Sequence, residues 1–372
     1  MFPYRILLRK FMFNSTLPHI LNNTTSESEG PLLCKTLYFH DVRITCQTNH
    51  PKILTMLDEM LGIYTEPIQV KGEVTYSIFC YNNSSQFPVQ LPHDRIRVDA
   101  VRLLTKTKLK YYLSADYTTQ YHSYNAMPPV NEAALTVICP QDNFGFTQLE
   151  MPERYQAKFL RRYVLLITLG QLMRPFDFEP CHAAAITAPW DNQQGALIIG
   201  ASGSGKTTLS LGCAIARSGL LGDDLIMLRS ESHLIKAYTI MHEISVRSAS
   251  LDLWEALSFL KTFPVDDRDK RYCTIEQIRA GATCLQAPIR LLIFPSLSIE
   301  NESKLTPLSK THTLRMLIDE CLSKNNMYPK AQEQLFSLLC MLSEQTRGYQ
   351  LEIARGTTDG PRIVQTLFTG SS

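Results

Sequence analysis

The sequence predicts a mixed α/β (α+β) fold in two folded parts. A smaller α+β domain spans residues 32–150, a phosphate-loop domain spans 151–372, and residues 1–31 form a flexible leader. Three observations predict this. The first part holds β-rich runs with partial alternation and one helix-spaced segment. A long helical pattern, Glu153–Met173, stands at the junction. In the second part, short apolar runs alternate with helical ones around one glycine-rich turn, Gly200-Ala-Ser-Gly-Ser-Gly-Lys-Thr207.

The bulk numbers set the bounds. At 372 residues with 44% hydrophobic content the chain can fill two cores. Lys and Arg total 37 against 35 Asp and Glu. That balance gives no electrostatic case for nucleic acid as a partner. No apolar run reaches the roughly 18 residues of a membrane span. The ten cysteines are scattered, contain no C-x-x-C, and lie mostly in apolar runs. They read as reduced core thiols, which implies a cytoplasmic protein with no disulfide framework and no zinc site.

Within the leader, residues 1–13 are basic and apolar but too broken for a signal-peptide core. Residues 14–31 are rich in Asn, Ser and Thr. Thr36–Cys46 is β-rich. From His50 to Ile63, apolar residues fall at Ile53, Leu54, Leu57, Met60 and Leu61, which is helical spacing. Val74–Tyr81, Ile96–Leu103, Leu109–Leu113 and Ala133–Cys139 read as strands. Tyr111, Tyr112, Tyr117, Tyr121 and Tyr124 form an aromatic stretch without an accompanying basic surface, which favours packing over base stacking. No cluster in this region carries recognisable chemistry.

Glu153–Met173 brings Tyr155, Phe159, Leu160, Tyr163, Leu166, Ile167 and Gly170 to one face, and reads as a bridge into the second part. Cys181–Thr187 follows as a small-residue strand, then a turn, then the apolar run Ala196-Leu-Ile-Ile199. An antiparallel hairpin of these two runs would place His182 at the far end of its strand, on the same side as the glycine loop.

That turn satisfies G-x-x-x-x-G-K-[ST] in its expected context, after an apolar strand and before the helical run Thr207–Ala216. Backbone amides of Gly200, Ala201, Ser202, Gly203, Ser204 and Gly205 and the helix start at Lys206, Thr207 and Thr208 form a phosphate cradle. Lys206 would reach the β- and γ-phosphates of a nucleotide, and the Thr207 hydroxyl would coordinate Mg²⁺. Downstream, Asp223 and Asp224 interrupt the apolar run Ser218–Leu228. Buried without partners, such a pair is costly, so it implies a metal, a cation or a strand edge. Two carboxylates allow one to serve a metal and the other to accept a proton.

Beyond the pair, His233–Thr239 reads as a strand, Leu251–Leu260 as helical around Trp254, and Asp266–Tyr272 as a charged loop. Leu291–Phe294 is a buried strand that ends without an acid. Leu314–Leu322 and Gln332–Leu342 are helical, and Tyr349–Ile353 is a last strand.

His182-Ala-Ala-Ala, Gly200-x-x-x-x-Gly-Lys-Thr207 and Gly222-Asp-Asp-Leu-Ile226, in that order, resemble the C-terminal domain of the HPr kinase/phosphorylase family. Its fold is related to that of phosphoenolpyruvate carboxykinases. The resemblance is sharp over about residues 178–230 and vague beyond them. It implies ATP as donor, with Lys206 and the loop amides on its phosphates. It implies Thr207 and Asp224 on Mg²⁺, Asp223 as the base for a serine hydroxyl, and His182 tuning that pair. The sequence leaves open which aspartate takes which role. The family's glutamate-arginine-glycine segment has its nearest counterpart in His242-Glu-Ile-Ser-Val-Arg247, without the glycines; Arg247 is the candidate for stabilising transferring charge. No counterpart of the loop tied to the reverse reaction is found.

The chain therefore resembles divergent, stand-alone members linked to ribosomally made peptide pathways. That implies a serine kinase acting on a protein or precursor peptide, with self-association left open. A non-kinase ATPase and a nucleotide-binding scaffold are the competing readings, although the chain has no Leu-Ser-Gly-Gly-Gln signature.

Overall fold

The structure is a computed structural model and describes residues 31–102, 107–114, 119–126, 132–266, 268–322 and 329–369. Residues 1–30 of the predicted leader (1–31) and Tyr117 lie outside the described residues. The chain is mixed α/β and divides into two compact units, one up to Phe176 and one from Asp177.

The first unit holds β1 (Leu33–Phe39), β2 (Val42–Thr48), α1 (Pro51–Leu61), β3 (Gly72–Tyr81), β4 (Ile96–Arg102), β5 (Thr107–Leu113), β6 (Gln120–Ala126), β7 (Glu132–Cys139) and β8 (Phe144–Glu150). They form one sheet in the order β1-β2-β3-β8-β7-β6-β5-β4. The β2–β3 and β3–β8 pairs are parallel. Parallel neighbours cannot be joined by a tight turn, and α1 supplies the crossover between β2 and β3. Its start is fixed by Pro51 and by His50, whose side chain accepts from the Lys52 amide at 3.3 Å.

Thr36–Cys46, predicted as a single β-rich run, is a hairpin that turns at His40, where φ is +52°. Strands β6 and β8 carry too many polar residues to have been read from alternation. In β8, Thr147 is paired inside the sheet, its Oγ1 2.8 Å from both Thr136 Oγ1 and Tyr76 OH, and in β6 Ser123 donates to Asn125 Oδ1 at 2.7 Å. Tyr121 and Tyr124 are buried, and Tyr124 donates to the Tyr163 carbonyl at 2.7 Å. That is packing, as the missing basic surface implied.

The predicted helix 153–173 is a π-helical segment, Phe159–Leu165, continued by α2 (Leu166–Leu172). It packs on the first sheet: the Phe159 ring meets Tyr124, and Leu172 lies over Gly145, where a Cβ would stand 2.9 Å from it. Phe176 covers Gly72 in the same way. The division between the units therefore falls after Phe176 rather than at residue 150, because the apolar face of this segment is spent on the first sheet.

His122 on β6 is buried beside Tyr111, and burial pushes its imidazole down to about 3. An unfolded chain binds that proton near 6.5, so below this pH protonation favours unfolding. Stability should fall as pH drops from about 6.5 toward 3, by up to about 1.4 kcal/mol per pH unit from this group. Urea denaturation at pH 7, 6, 5 and 4 checks it. His122→Leu should flatten the slope, and an equally steep slope in that variant would remove His122 as its source.

In the second unit β9 (Glu179–Cys181), β10 (Ala183–Ala188), β11 (Asp191–Ile199), β12 (Leu220–Gly222), β13 (Ile226–Glu231), β14 (Leu234–Thr239), β17 (Gln286–Ser298), β18 (Lys304–Leu308) and β19 (Arg347–Ala354) make a nine-stranded sheet. A separate ribbon pairs β15 (Glu243–Arg247) with β16 (Lys270–Thr274), so the predicted charged loop is half strand. The long strand β17 organises the sheet. Its first residues pair with β14, and its remainder runs parallel to β11 and β19.

Side chains alternate across this sheet. Ala184, Ile186, Ala196 and Ile198 pack with α3 (Lys206–Ile215), α4 (Ser248–Leu253) and α7 (Gly360–Thr369). Ala183, Ala185, Leu197 and Ile199 face α5 (Lys310–Leu317) and α6 (Pro329–Gln345). Helices cover both faces, which is why β10, β11 and β17 read as continuous apolar runs. Among the described residues no helix is long and apolar enough to cross a membrane. None of the ten cysteines is in a disulfide, and eight of them are buried.

Candidate functional site

The site lies where the second sheet splits. Strand β10 pairs with β11 in antiparallel register, Ala183 opposite Ile199, so His182 stands at the level of Gly200. Just before His182 the chain leaves β9, whose Cys181 pairs with Ile226 of β13. Strands β12 and β13 are interrupted in the same way at Asp223-Asp224-Leu225, with Gly222 paired to Ala185. Two breaks in neighbouring strands thus put a histidine and two carboxylates beside the loop that leaves β11.

In that loop, Gly203 and Gly205 adopt φ of +87° and +99°. Side chains resist this region, so glycine is required there. A Cβ at Gly200 would stand 2.9 Å from Ser204 Oγ. Helix α3 begins at Lys206. The Lys206 ammonium donates to the carbonyls of Gly200 at 2.7 Å and Ala201 at 3.0 Å, so it is folded over the loop it would serve. Ser204 Oγ is buried and has no hydrogen-bond partner. An orphaned hydroxyl inside a turn of amides suits an anion.

The two aspartates have different neighbours. Asp223 is 3% exposed, and Thr207 Oγ1 donates to its Oδ2 at 3.2 Å. Asp224 is partly exposed, and its Oδ1 lies 3.5 Å from His182 Nε2. The family resemblance put Thr207 with Asp224 and His182 near the pair, and the sequence left the two aspartates' roles open; in the structure Thr207 is bonded to Asp223 and His182 lies beside Asp224. The reason is local. The chain turns sharply between β12 and β13, so adjacent side chains point opposite ways, one under the helix start and one toward β10.

One cavity of about 360 Å³ collects most of these groups: His182, Ser202, Gly203, Gly205, Lys206, Thr207, Thr208, Asp223, Asp224 and Arg247. Gly200, Ala201 and Ser204 shape the turn without lining the cavity. Thr208 is turned toward α4, its hydroxyl 2.7 Å from that of Ser250. Arg247 ends β15 directly opposite Lys270 on β16. Sequence reasoning missed Lys270, which also lines the cavity and donates to Ser245 Oγ at 3.0 Å. It sat inside a segment read as loop. Arg355, Trp254 and Pro361 are further lining residues that no motif marked.

The donor set suits Mg²⁺. Thr207 and Asp223 offer oxygen only, and Mg²⁺ takes one or two protein oxygens and completes its shell with waters and substrate phosphates. Among the described residues no group of three His, Cys, Asp or Glu gathers as it would for an all-protein metal site.

No family model matches the chain, and no curated protein does. Among solved structures the chain is similar to that of the Hpr(Ser) kinase/phosphatase from Coxiella burnetii, with 14% identity, coverage of 51% of this chain and 88% of that one, and a TM-score of 0.30.

Proposed function

We propose that the second unit is an ATP-dependent kinase that transfers a γ-phosphoryl group to a serine hydroxyl of a protein or peptide. The observation that carries this reading is the division of the aspartates at one cavity: Asp223 against the Thr207 hydroxyl, Asp224 against His182. An ATPase needs a metal-side carboxylate; a kinase also gains from a second carboxylate that meets the acceptor.

In this reading the loop amides and Lys206 hold the β- and γ-phosphates, Lys206 leaving the Gly200 and Ala201 carbonyls to do so. Thr207 and Asp223 would hold Mg²⁺, which when bound neutralises charge on the phosphates. Asp224 accepts the serine proton as the hydroxyl oxygen attacks. The new O–P bond forms as the bond from Pγ to the β–γ bridging oxygen breaks, and ADP leaves with that electron pair. His182 orients Asp224 and shares the proton it collects. Arg247 and Lys270, side by side at the ribbon end, stabilise the charge spreading over the moving group.

The test follows the γ-phosphate. Protein, Mg²⁺ and γ-labelled ATP are incubated with and without host extract. A labelled polypeptide, with phosphoserine identified by mass spectrometry, is the expected result. Label released only as free phosphate at the same rate with or without extract would replace the kinase reading with an ATPase.

A further inference from the structure

The cavity continues beyond the phosphate loop as a trench over the first two turns of α3. Ala249, Ser250, Leu253 and Trp254 line it from one segment, and residues 353–357, Gly360 and Pro361 from another. Two glycines keep it narrow. A Cβ at Gly212 would stand 2.4 Å from Trp254 and 2.6 Å from Pro361, so these two side chains meet above the helix and close the far end. A Cβ at Gly360 would stand 3.0 Å from Leu209, which forms part of the floor. The polar groups described above, His182, Asp223, Asp224, Arg247 and Lys270, belong to the other end.

We propose that this trench seats the base of the nucleotide donor, stacked on Trp254 between Leu253 and Pro361. The inference rests on the nucleotide reading above and extends it to the part of the ligand the phosphate loop does not touch. Gly212 lies six residues past Lys206, about 9 Å along the helix. An acceptor hydroxyl must reach Asp224, at the opposite end, so the apolar end is left to the donor. Leu209, Leu253, Trp254, Ile353 and Pro361 give this end apolar surface, with Ser250, Arg355 and Thr357 also lining the cavity; such surface matches the faces of a nucleobase, and aromatic stacking is the usual way to hold one. Trp254 is held by packing alone, since its indole N–H has no hydrogen-bond partner.

The chain has two tryptophans, and Trp190 is 57% exposed. Trp190→Phe leaves Trp254 as the sole indole emitter. In that background ADP with Mg²⁺ should change Trp254 emission saturably, whereas tripolyphosphate, which carries no base, should bind by calorimetry with little change. Trp254→Leu should weaken ADP roughly tenfold or more and tripolyphosphate less than twofold. Trp254→Phe should stay within about threefold for both. ADP binding with no change in Trp254 emission, or an unchanged ratio of ADP to tripolyphosphate affinity in Trp254→Leu, would overturn the base slot alone. Failure of the parent protein to bind either ligand would overturn the nucleotide reading and the slot with it.

Discussion

Replacing Asp224 by Asn is expected to lower phosphoryl transfer by roughly 10²- to 10⁴-fold, the range a positioned general base contributes. The affinity for Mg·ATP should stay within about threefold. The expectation comes from placement: Asp224 is partly exposed, lines the cavity and lies 3.5 Å from His182, while the Thr207 hydroxyl donates to the other aspartate. Single-turnover quench on the labelled polypeptide gives the rate, and calorimetry gives the affinity. A rate loss that disappears at saturating Mg·ATP would return Asp224 to a binding role.

Replacing Asp223 by Asn should act on the metal. The substitution is nearly isosteric, and it removes a charge from a side chain only 3% exposed, so thermal stability should hold or rise. What is lost is the anionic oxygen beside Thr207. Nucleotide-dependent metal affinity should fall by at least roughly 10- to 100-fold, the cost of losing even a group that only orients a metal's ligand. Transfer should fall with it and recover in part at high Mg²⁺. Activity titrated against Mg²⁺ at fixed ATP reads this directly, and a lowered rate with an unshifted midpoint would contradict it.

Much of the site was legible because its chemistry is local in sequence. Positive φ at Gly203 and Gly205 and a helix starting at Lys206 are encoded within eight consecutive residues. The carboxylate pair announced itself as two charges inside an apolar run. What the sequence could not give was direction. Whether Asp223 or Asp224 turns under α3 depends on the register of β12 with β10, a long-range pairing with no local signature. Lys270 was hidden for a related reason: its strand forms only against β15, and the charges that flank it read as loop.

The first unit shows the same division. Helix α1 followed from spacing, whereas β6 and β8 are polar strands, and the Thr147 hydroxyl of β8 finds its partners only across the finished sheet. The helical segment 159–172 was found by its apolar face, but a face does not say which sheet it covers. Rings decided that, with Phe159 against Tyr124.

The central claim is that the two aspartates divide the work, Asp223 on the metal and Asp224 on the acceptor. Electron paramagnetic resonance of Mn²⁺ with ADP, titrated into the parent protein and each Asn variant, tests it most directly. The account predicts that Asp223→Asn loses tight Mn²⁺ binding in the presence of ADP and that Asp224→Asn keeps it. The reverse pattern, with Asp224→Asn losing the metal and Asp223→Asn retaining it, would contradict the account.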